Sequence, residues 1–181
     1  MNWITKFIKP KIASLFKKRT AESDQILWTT CECKNLIYKE DLQKNLNCCP
    51  KCGAHHKLTC VERFETFFDD KEFDLIATPL PKDDPINFVD KKKYTDRLKL
   101  ARKITKQDDA VAISTGKLNN ISVTVGAQDF RFIGGSFGAA SGEAFIHGVQ
   151  HAIDNKNPFI FFSCSGGQRM MESSIALMQM S

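Results

Sequence analysis

The chain has 181 residues, 42% of them hydrophobic, and carries a net charge of +5. That apolar share is enough for one packed domain plus a small module. The mild positive charge suits an anionic ligand, such as a phosphate-bearing cofactor, without demanding nucleic acid, and no apolar run approaches the ~20 residues that cross a bilayer.

Residues 1–26 form a basic tail, in which Trp3, Phe7, Ile8, Ile12, Leu15 and Phe16 alternate with lysines. It lacks the apolar stretch and small-residue cleavage site of a secretory signal. Pro10 interrupts the amphipathic pattern. A loosely ordered or partner-docking tail is therefore preferred over a membrane-surface or targeting helix.

Residues 27–56 form a cysteine module. Of seven cysteines, Cys31, Cys33, Cys48, Cys49 and Cys52 fall within 22 residues. Clustered pairs in a chain without an export signal read as a metal site, not a disulfide framework. Cys49-Pro50-Lys51-Cys52, followed by Gly53, has the form of a zinc knuckle. Its turn lets two thiolates face one ion. Cys31-Glu32-Cys33 is one residue short of the usual spacing, and the fifteen residues between Cys33 and Cys49 fit a short hairpin. Tetrahedral zinc on Cys31, Cys33, Cys49 and Cys52 is the first choice, with Cys48, His55 and His56 as stand-ins if the short knuckle fails to close. Four protein ligands leave no open position, so the ion is structural. Lysines 34, 39, 44, 51 and 57 read as a solvated surface in preference to a nucleic-acid face.

Residues 57–110 are charged and expected to be mostly helical, broken by Pro79, Pro81 and Pro85. Val111–Leu118 and Ile121–Ala127 read as strands joined by a hairpin turn at Asn119-Asn120. Phe130–Ile133 follows as the strand before the Gly134-Gly135 loop, then a helix from Ala139 to Asp154. Phe159–Ser163 reads as a buried strand. After Cys164-Ser165-Gly166-Gly167 a helix is expected from Gln168 to Met180, with Met171, Ile175 and Met178 on one face. A strand, a glycine turn, a helix and another strand imply a layered α/β core with a crossover helix. Each glycine turn leaves backbone N–H groups able to hold an anion or a developing oxyanion. Neither is a Gly-x-Gly-x-x-Gly or Walker sequence. Glu143, His147 and His151 share a helix face and read as exposed polar residues. Cys60 reads as a small buried apolar residue. Cys164 and Ser165 have no base placed beside them.

Four stretches in order, LWTTCECKNLIYKEDLQKNLNCCPKCGAHHKL, DKKKYTDRLKLARKITKQDDA, FIGGSFGAASGEAF and FFSCSGGQRMMESSIALMQM, resemble the carboxyltransferase β subunit of bacterial-type acetyl-CoA carboxylase. The resemblance covers Trp28 to Met180. It implies a four-cysteine zinc ribbon (27–56) followed by the N-terminal part of a crotonase-like α/β core (57–181). It also implies a function: transfer of a carboxyl group from carboxybiotin, borne by a separate carrier protein, to acetyl-CoA. The malonyl-CoA formed feeds fatty-acid synthesis. The implied partners are a carboxyltransferase α subunit in an α2β2 assembly, the biotin carboxyl carrier protein and biotin carboxylase, in the cytoplasm. Gly166 and Gly167 are the expected oxyanion amides; Gly134, Gly135, Arg97 and Arg169 are the expected acyl-CoA contacts. Lysines 91, 92, 93 and 103, with Arg102, are further candidates for the CoA phosphates, or a solvated helix face. The family pattern Gly-Gly-Ala-Arg-Met-Gln-Glu here reads Gly166-Gly167-Gln168-Arg169-Met170-Met171-Glu172, so Gln168 is expected to crowd the site. Family members run on beyond Ser181, so the chain is expected to be a truncated or split form, inactive alone. The alternatives are a carboxyltransferase for another acyl-CoA and a non-catalytic zinc ribbon that binds nucleic acid or a partner.

Overall fold

The computed structural model describes residues 27–179. The basic tail, and the tail reading above, lie outside the described residues. The chain divides into two compact units, with the break between Lys57 and Leu58.

In the first unit, β1 (Trp28–Thr30) and β2 (Leu36–Tyr38) pair antiparallel, and helix α1 (Lys39–Lys44) follows directly. The stretch between the cysteine pairs is thus a strand and a helix, not a short hairpin. Leu42 supplies the buried face of that helix, beside Ile37, Cys31 and Cys49. Two of these four buried residues are cysteines. A core this small cannot offset the chain entropy by hydrophobic burial alone.

The second unit opens with α2 (Cys60–Phe67). A capping box starts it: the Glu62 amide donates to Thr59 Oγ1 at 3.1 Å, and the Thr59 amide donates to Glu62 Oε2 at 2.8 Å. Such a cap stabilises a helix by about 1 kcal/mol. Strand β3 (Phe73–Ile76), helix α3 (Tyr94–Thr105), β4 (Val111–Leu118) and β5 (Ile121–Gln128) follow. Asn119 and Asn120 turn the β4–β5 hairpin with φ of 51° and 64°, the left-handed pair that matches strand twist. Helix α4 (Ala139–Asp154) then crosses to β6 (Phe159–Phe162), which pairs parallel to β5. The sheet order is β3-β4-β5-β6.

Alternation along β5 splits the core. Val123, Val125 and Ala127 pack with Cys60, Phe64 and Phe68, while Val111 and Ile113 of β4 meet Ala144 of α4. Burial holds the Cys60 thiol up at about 12, so it stays a neutral core residue, as expected.

Three expectations change. Residues 57–110 contain β3, whose four residues form an edge strand paired, among the described residues, to β4 alone; with Asp74 and Leu75 exposed, no apolar alternation announces it. Phe130–Ile133 is a turn leading into a 3-10 segment at Ile133–Gly135, closed by the Phe132 amide on the Asp129 carbonyl at 3.1 Å. The terminal helix is not continuous. A 3-10 turn at Met170–Glu172 and a short α5 (Ser174–Met178) are separated by Ser173, whose φ of 52° breaks the helix. Met171 is buried while Met178 is 65% exposed, so the two do not share a buried face.

Candidate functional site: two glycine loops and a four-thiol centre

The four sulfurs of Cys31, Cys33, Cys49 and Cys52 lie within 4.8 Å of one another. Cys31 and Cys52 Sγ are 3.6 Å apart, and Cys33 and Cys49 Sγ 3.9 Å. Tetrahedral zinc with Zn–S bonds of about 2.3 Å sets its sulfurs about 3.8 Å apart, so the donor set fits. All seven cysteines are free of disulfides. The short knuckle closes because Lys34 takes a left-handed turn, φ 63°. The Cys31 amide then donates to the Asn35 carbonyl at 3.0 Å, much as the Cys49 amide reaches Ala54 at 2.8 Å in the second knuckle. The Asn35 side-chain amide, 3.3 Å from Cys33 Sγ, helps hold that thiol down at about 6. Cys48 stands outside the group and faces His55 Nδ1 at 3.1 Å; His55 and His56 stand outside it too.

In the second unit the two glycine loops lie against each other. The Gly166 amide donates to the Gly134 carbonyl (2.9 Å), the Phe137 amide to Gly167 (2.9 Å) and the Arg169 amide to Phe137 (2.8 Å). The last two bonds make a parallel bridge between Phe137 and Gln168, and with the first they form a ladder linking residues thirty or more positions apart. Gln128, at the end of β5, fastens it: Nε2 donates to the Gly135 carbonyl at 2.7 Å, and Oε1 accepts from the Cys164 amide at 3.0 Å. A methyl group on Gly135 would sit 2.1 Å from the Cys164 carbonyl oxygen. Backbone closeness, together with a φ of 62°, is why glycine is needed there.

The ladder alters what the loop amides can do. The Gly166 N–H is taken by Gly134. The Gly167 N–H reaches the Ser165 hydroxyl of its own loop at 3.0 Å. Parallel pairing about Phe137 directs the Gln168 N–H away from the ladder. Gly167 and Gln168 border an apolar cleft of about 360 Å³ walled by Phe137, Phe145 and Phe161. The Gln168 side chain, with its amide nitrogen toward the two carbonyls, donates to Ala176 at 2.7 Å and Phe137 at 3.0 Å. It straps the loop to α5 while its residue still borders the cleft.

Arg169 is a correction. It is 1% exposed, so it is not on the surface to meet CoA phosphates. Its guanidinium forks onto Asp109 at 2.6 and 2.7 Å and donates to the Ser136 carbonyl (2.7 Å), the Ser136 hydroxyl (3.2 Å) and the Tyr94 hydroxyl (3.2 Å). That uses all five N–H donors. Burial disfavours its charge, and the Asp109 pairing more than compensates, so its pKa is raised. Asp109 also accepts from Ser141 Oγ at 2.6 Å and the Ala110 amide at 2.8 Å. Burial raises the Tyr94 pKa, and the neutral hydroxyl donates to Glu172.

Arg97 pairs with Asp90, and Arg102 forks onto Asp83 at 2.6 and 2.7 Å. Both pairs lie at the surface, where solvent screens them. Lysines 91, 92, 93 and 103 are exposed. His151 Nδ1 lies 3.1 Å from Thr124 Oγ1 and ties α4 to β5. It joins no metal group with Glu143 and His147 among the described residues. Sequence reasoning gave no role to Gln128, Asp109, Tyr94 and Glu172; Gln128 ends β5, Asp109 precedes β4, Tyr94 begins α3, and Glu172 stands where the family's Gly-Gly pattern ends in Glu.

Among the described residues no helix is long and apolar enough to cross a membrane. Residues 28–52 match the acetyl-CoA carboxylase zinc finger domain, and residues 57–181 match the carboxyl transferase domain. A Pelagibacter ubique protein named acetyl-coenzyme A carboxylase carboxyl transferase subunit beta is 45% identical over 99% of the chain and 59% of its own length. A protein of the same name from Jannaschia sp. is 41% identical over 99% of the chain and 56% of its own length. The chain thus spans somewhat more than half the length of these relatives. The transcarboxylase 12S structure with hydrolysed methylmalonyl-coenzyme A bound superposes with a TM-score of 0.53 at 25% identity, over 68% of this chain and 22% of that one. The expected architecture, a four-cysteine ribbon followed by a crotonase-like α/β core, is met, and the chain belongs to the carboxyl transferase domain family.

Proposed function

We propose that the chain works as a β subunit of acetyl-CoA carboxylase, moving a carboxyl group from carboxybiotin on a carrier protein to acetyl-CoA to give malonyl-CoA. The observation that carries this is the joined pair of glycine loops beside the apolar cleft, in a chain of this family. The acetyl methyl group would give a proton to the biotin nitrogen that releases the carboxyl group, and the enolate so formed carries negative charge on the thioester oxygen. Backbone donors aimed at that oxygen, beside the apolar wall of the cleft, stabilise it; one such donor is worth ~10²–10³ in rate.

Within the loop the donors are the N–H groups of Gly167 and Gln168. The first need only exchange the Ser165 hydroxyl for the thioester oxygen; the second already points away from the ladder. The Gly166 amide is a structural bond, and Gly134 and Gly135 act by shaping the second loop. Arg97 and the exposed lysines of α3 and its approach supply charge for the CoA phosphates. Zinc, held by Cys31, Cys33, Cys49 and Cys52, has no open position for substrate and fixes the ribbon. Biotin remains on the carrier and brings the carboxyl group. The α subunit (as α2β2), the biotin carboxyl carrier protein and biotin carboxylase are the partners this reaction requires, and the cytoplasm is where it would run.

The test is malonyl-CoA formation from acetyl-CoA with the chain, an α subunit and carboxylated carrier protein. Product is expected with acetyl-CoA in preference to propionyl-CoA, the competitor in the same assay. Equal or greater turnover of propionyl-CoA moves the assignment to another acyl-CoA. Binding of RNA or DNA that falls steeply with salt, with no acyl-CoA affinity, replaces it with the ribbon-binding alternative.

A further inference from the structure

Glu172 is 4% exposed, and its carboxylate joins three parts of the fold. Oε2 accepts from the Ala139 amide at 2.6 Å, the first N–H of α4. Oε1 accepts from the Tyr94 hydroxyl, at the first residue of α3, and lies 3.4 Å from Arg169 Nη1 in its own loop. One side chain therefore satisfies an orphan donor at a helix start, and places its negative charge where the helix dipole favours it. α4 begins four residues after Gly135, and Glu172 follows Gly167 by five. The carboxylate thus spans the exits of both glycine loops.

Gly138 offers a second observation. A methyl group on Gly138 would lie 2.7 Å from Glu172 Oε1 and 2.8 Å from Oε2. The backbone there is extended, with φ −123° and ψ −173°, which any residue adopts. Glycine is needed at 138 for the room it leaves to the carboxylate, not for its conformational freedom.

We propose that Glu172 is a positioning residue that locks the second glycine loop to the start of α4, holding the Gly167 and Gln168 amides in fixed relation to the first loop. It touches no reacting atom and acts through Arg169 and Ala139. The consequence for catalysis rests on the thioester-binding function proposed above; the locking itself does not.

Two variants of the full 181-residue, zinc-loaded chain test it. Glu172→Gln keeps the shape and removes one acceptor. Gly138→Ala keeps every polar group and pushes the carboxylate aside, so it serves if the first variant fails to fold. Amide hydrogen exchange is read residue by residue. Exchange at Gly166 and Arg169 is expected to speed up at least ~10-fold, with Val125 in β5 unchanged, as local opening requires. Uniform acceleration at all three would reduce Glu172 to a general stabiliser, and no acceleration at Gly166 would overturn the lock.

The carbonyl infrared band of acetyl-CoA, labelled with carbon-13 at its carbonyl carbon, is the second readout. In the unmodified chain it is expected at lower frequency than in free acetyl-CoA. In Gly138→Ala it should return toward the free value; a band that stays shifted overturns the positioning role. No shifted band in the unmodified chain counts against the thioester reading alone, and amide exchange still decides the lock.

Discussion

The ribbon and the carboxyltransferase core hold polar groups together by opposite means. In the ribbon, four thiols from two neighbouring knuckles converge within 4.8 Å, and the surrounding core is Ile37, Leu42 and two of the cysteines themselves. In the core unit, a buried arginine is met by a carboxylate 60 positions away, beside the apolar cluster that holds Tyr94 and Phe132. The first arrangement is a donor set fit for an ion from outside the chain; the second is complete within the chain. A buried charge in such a core is affordable because every donor has an acceptor.

The largest expected effect breaks the ribbon and spares the core. Cys52→Ser, or chelation, removes metal binding worth on the order of 10 kcal/mol to such a module. Zinc analysis should fall from about one ion per chain toward zero. Amide spectra should lose the dispersion of residues 27–56 and keep that of β4 and β5. Loss of β4 and β5 dispersion along with the ribbon would mean that the two units are not separable.

Arg169→Ala does the reverse. It leaves Asp109 and Glu172 buried without their countercharge, and a broken buried pair costs about 3–5 kcal/mol. Thermal denaturation should show the core melting far lower while the zinc content is unchanged. A cost under ~1 kcal/mol would place this cluster with the surface pairs.

Thr59→Ala removes one half of the capping box on α2 and should cost about 1 kcal/mol by denaturant titration. The smallest effect concerns Asp69. Its carboxylate accepts from the Asn120 and Asn119 amides at 2.9 and 3.0 Å, and these bonds lower its pKa. A depressed carboxylate contributes stability above its ordinary pKa, and that contribution fades as pH falls through the lowered value. The stability gap between the unmodified chain and Asp69→Asn should therefore be present at neutral pH and close on acidification. A gap independent of pH would assign it to shape instead of charge.

Local patterns carried much of the fold into the sequence. Val111–Leu118, the Asn119-Asn120 turn and Ala139–Asp154 were legible because strand alternation, turn chemistry and helix ends are set within a few residues. The four cysteines were legible because ligand spacing is local as well. What could not be read was anything settled by distant partners. The Gly166 amide looks free in sequence and is taken by Gly134. Arg169 looks like a surface cation and lies in the core with Asp109. The expected helix from Gln168 carries the right apolar spacing, yet Ser173 turns it, because Arg169 and Glu172 are held elsewhere by tertiary bonds.

Lys34 has a meaning for how such a module tolerates insertion and deletion. One left-handed residue, φ 63°, carries the chain back in a knuckle that has one residue fewer than its neighbour. The conformational cost of such a residue is ~1–2 kcal/mol, small beside the free energy of binding the metal. A change of one residue in loop length is thereby absorbed at a single backbone torsion, and what the four-thiol centre requires is the direction of its sulfurs, not the count of residues between them.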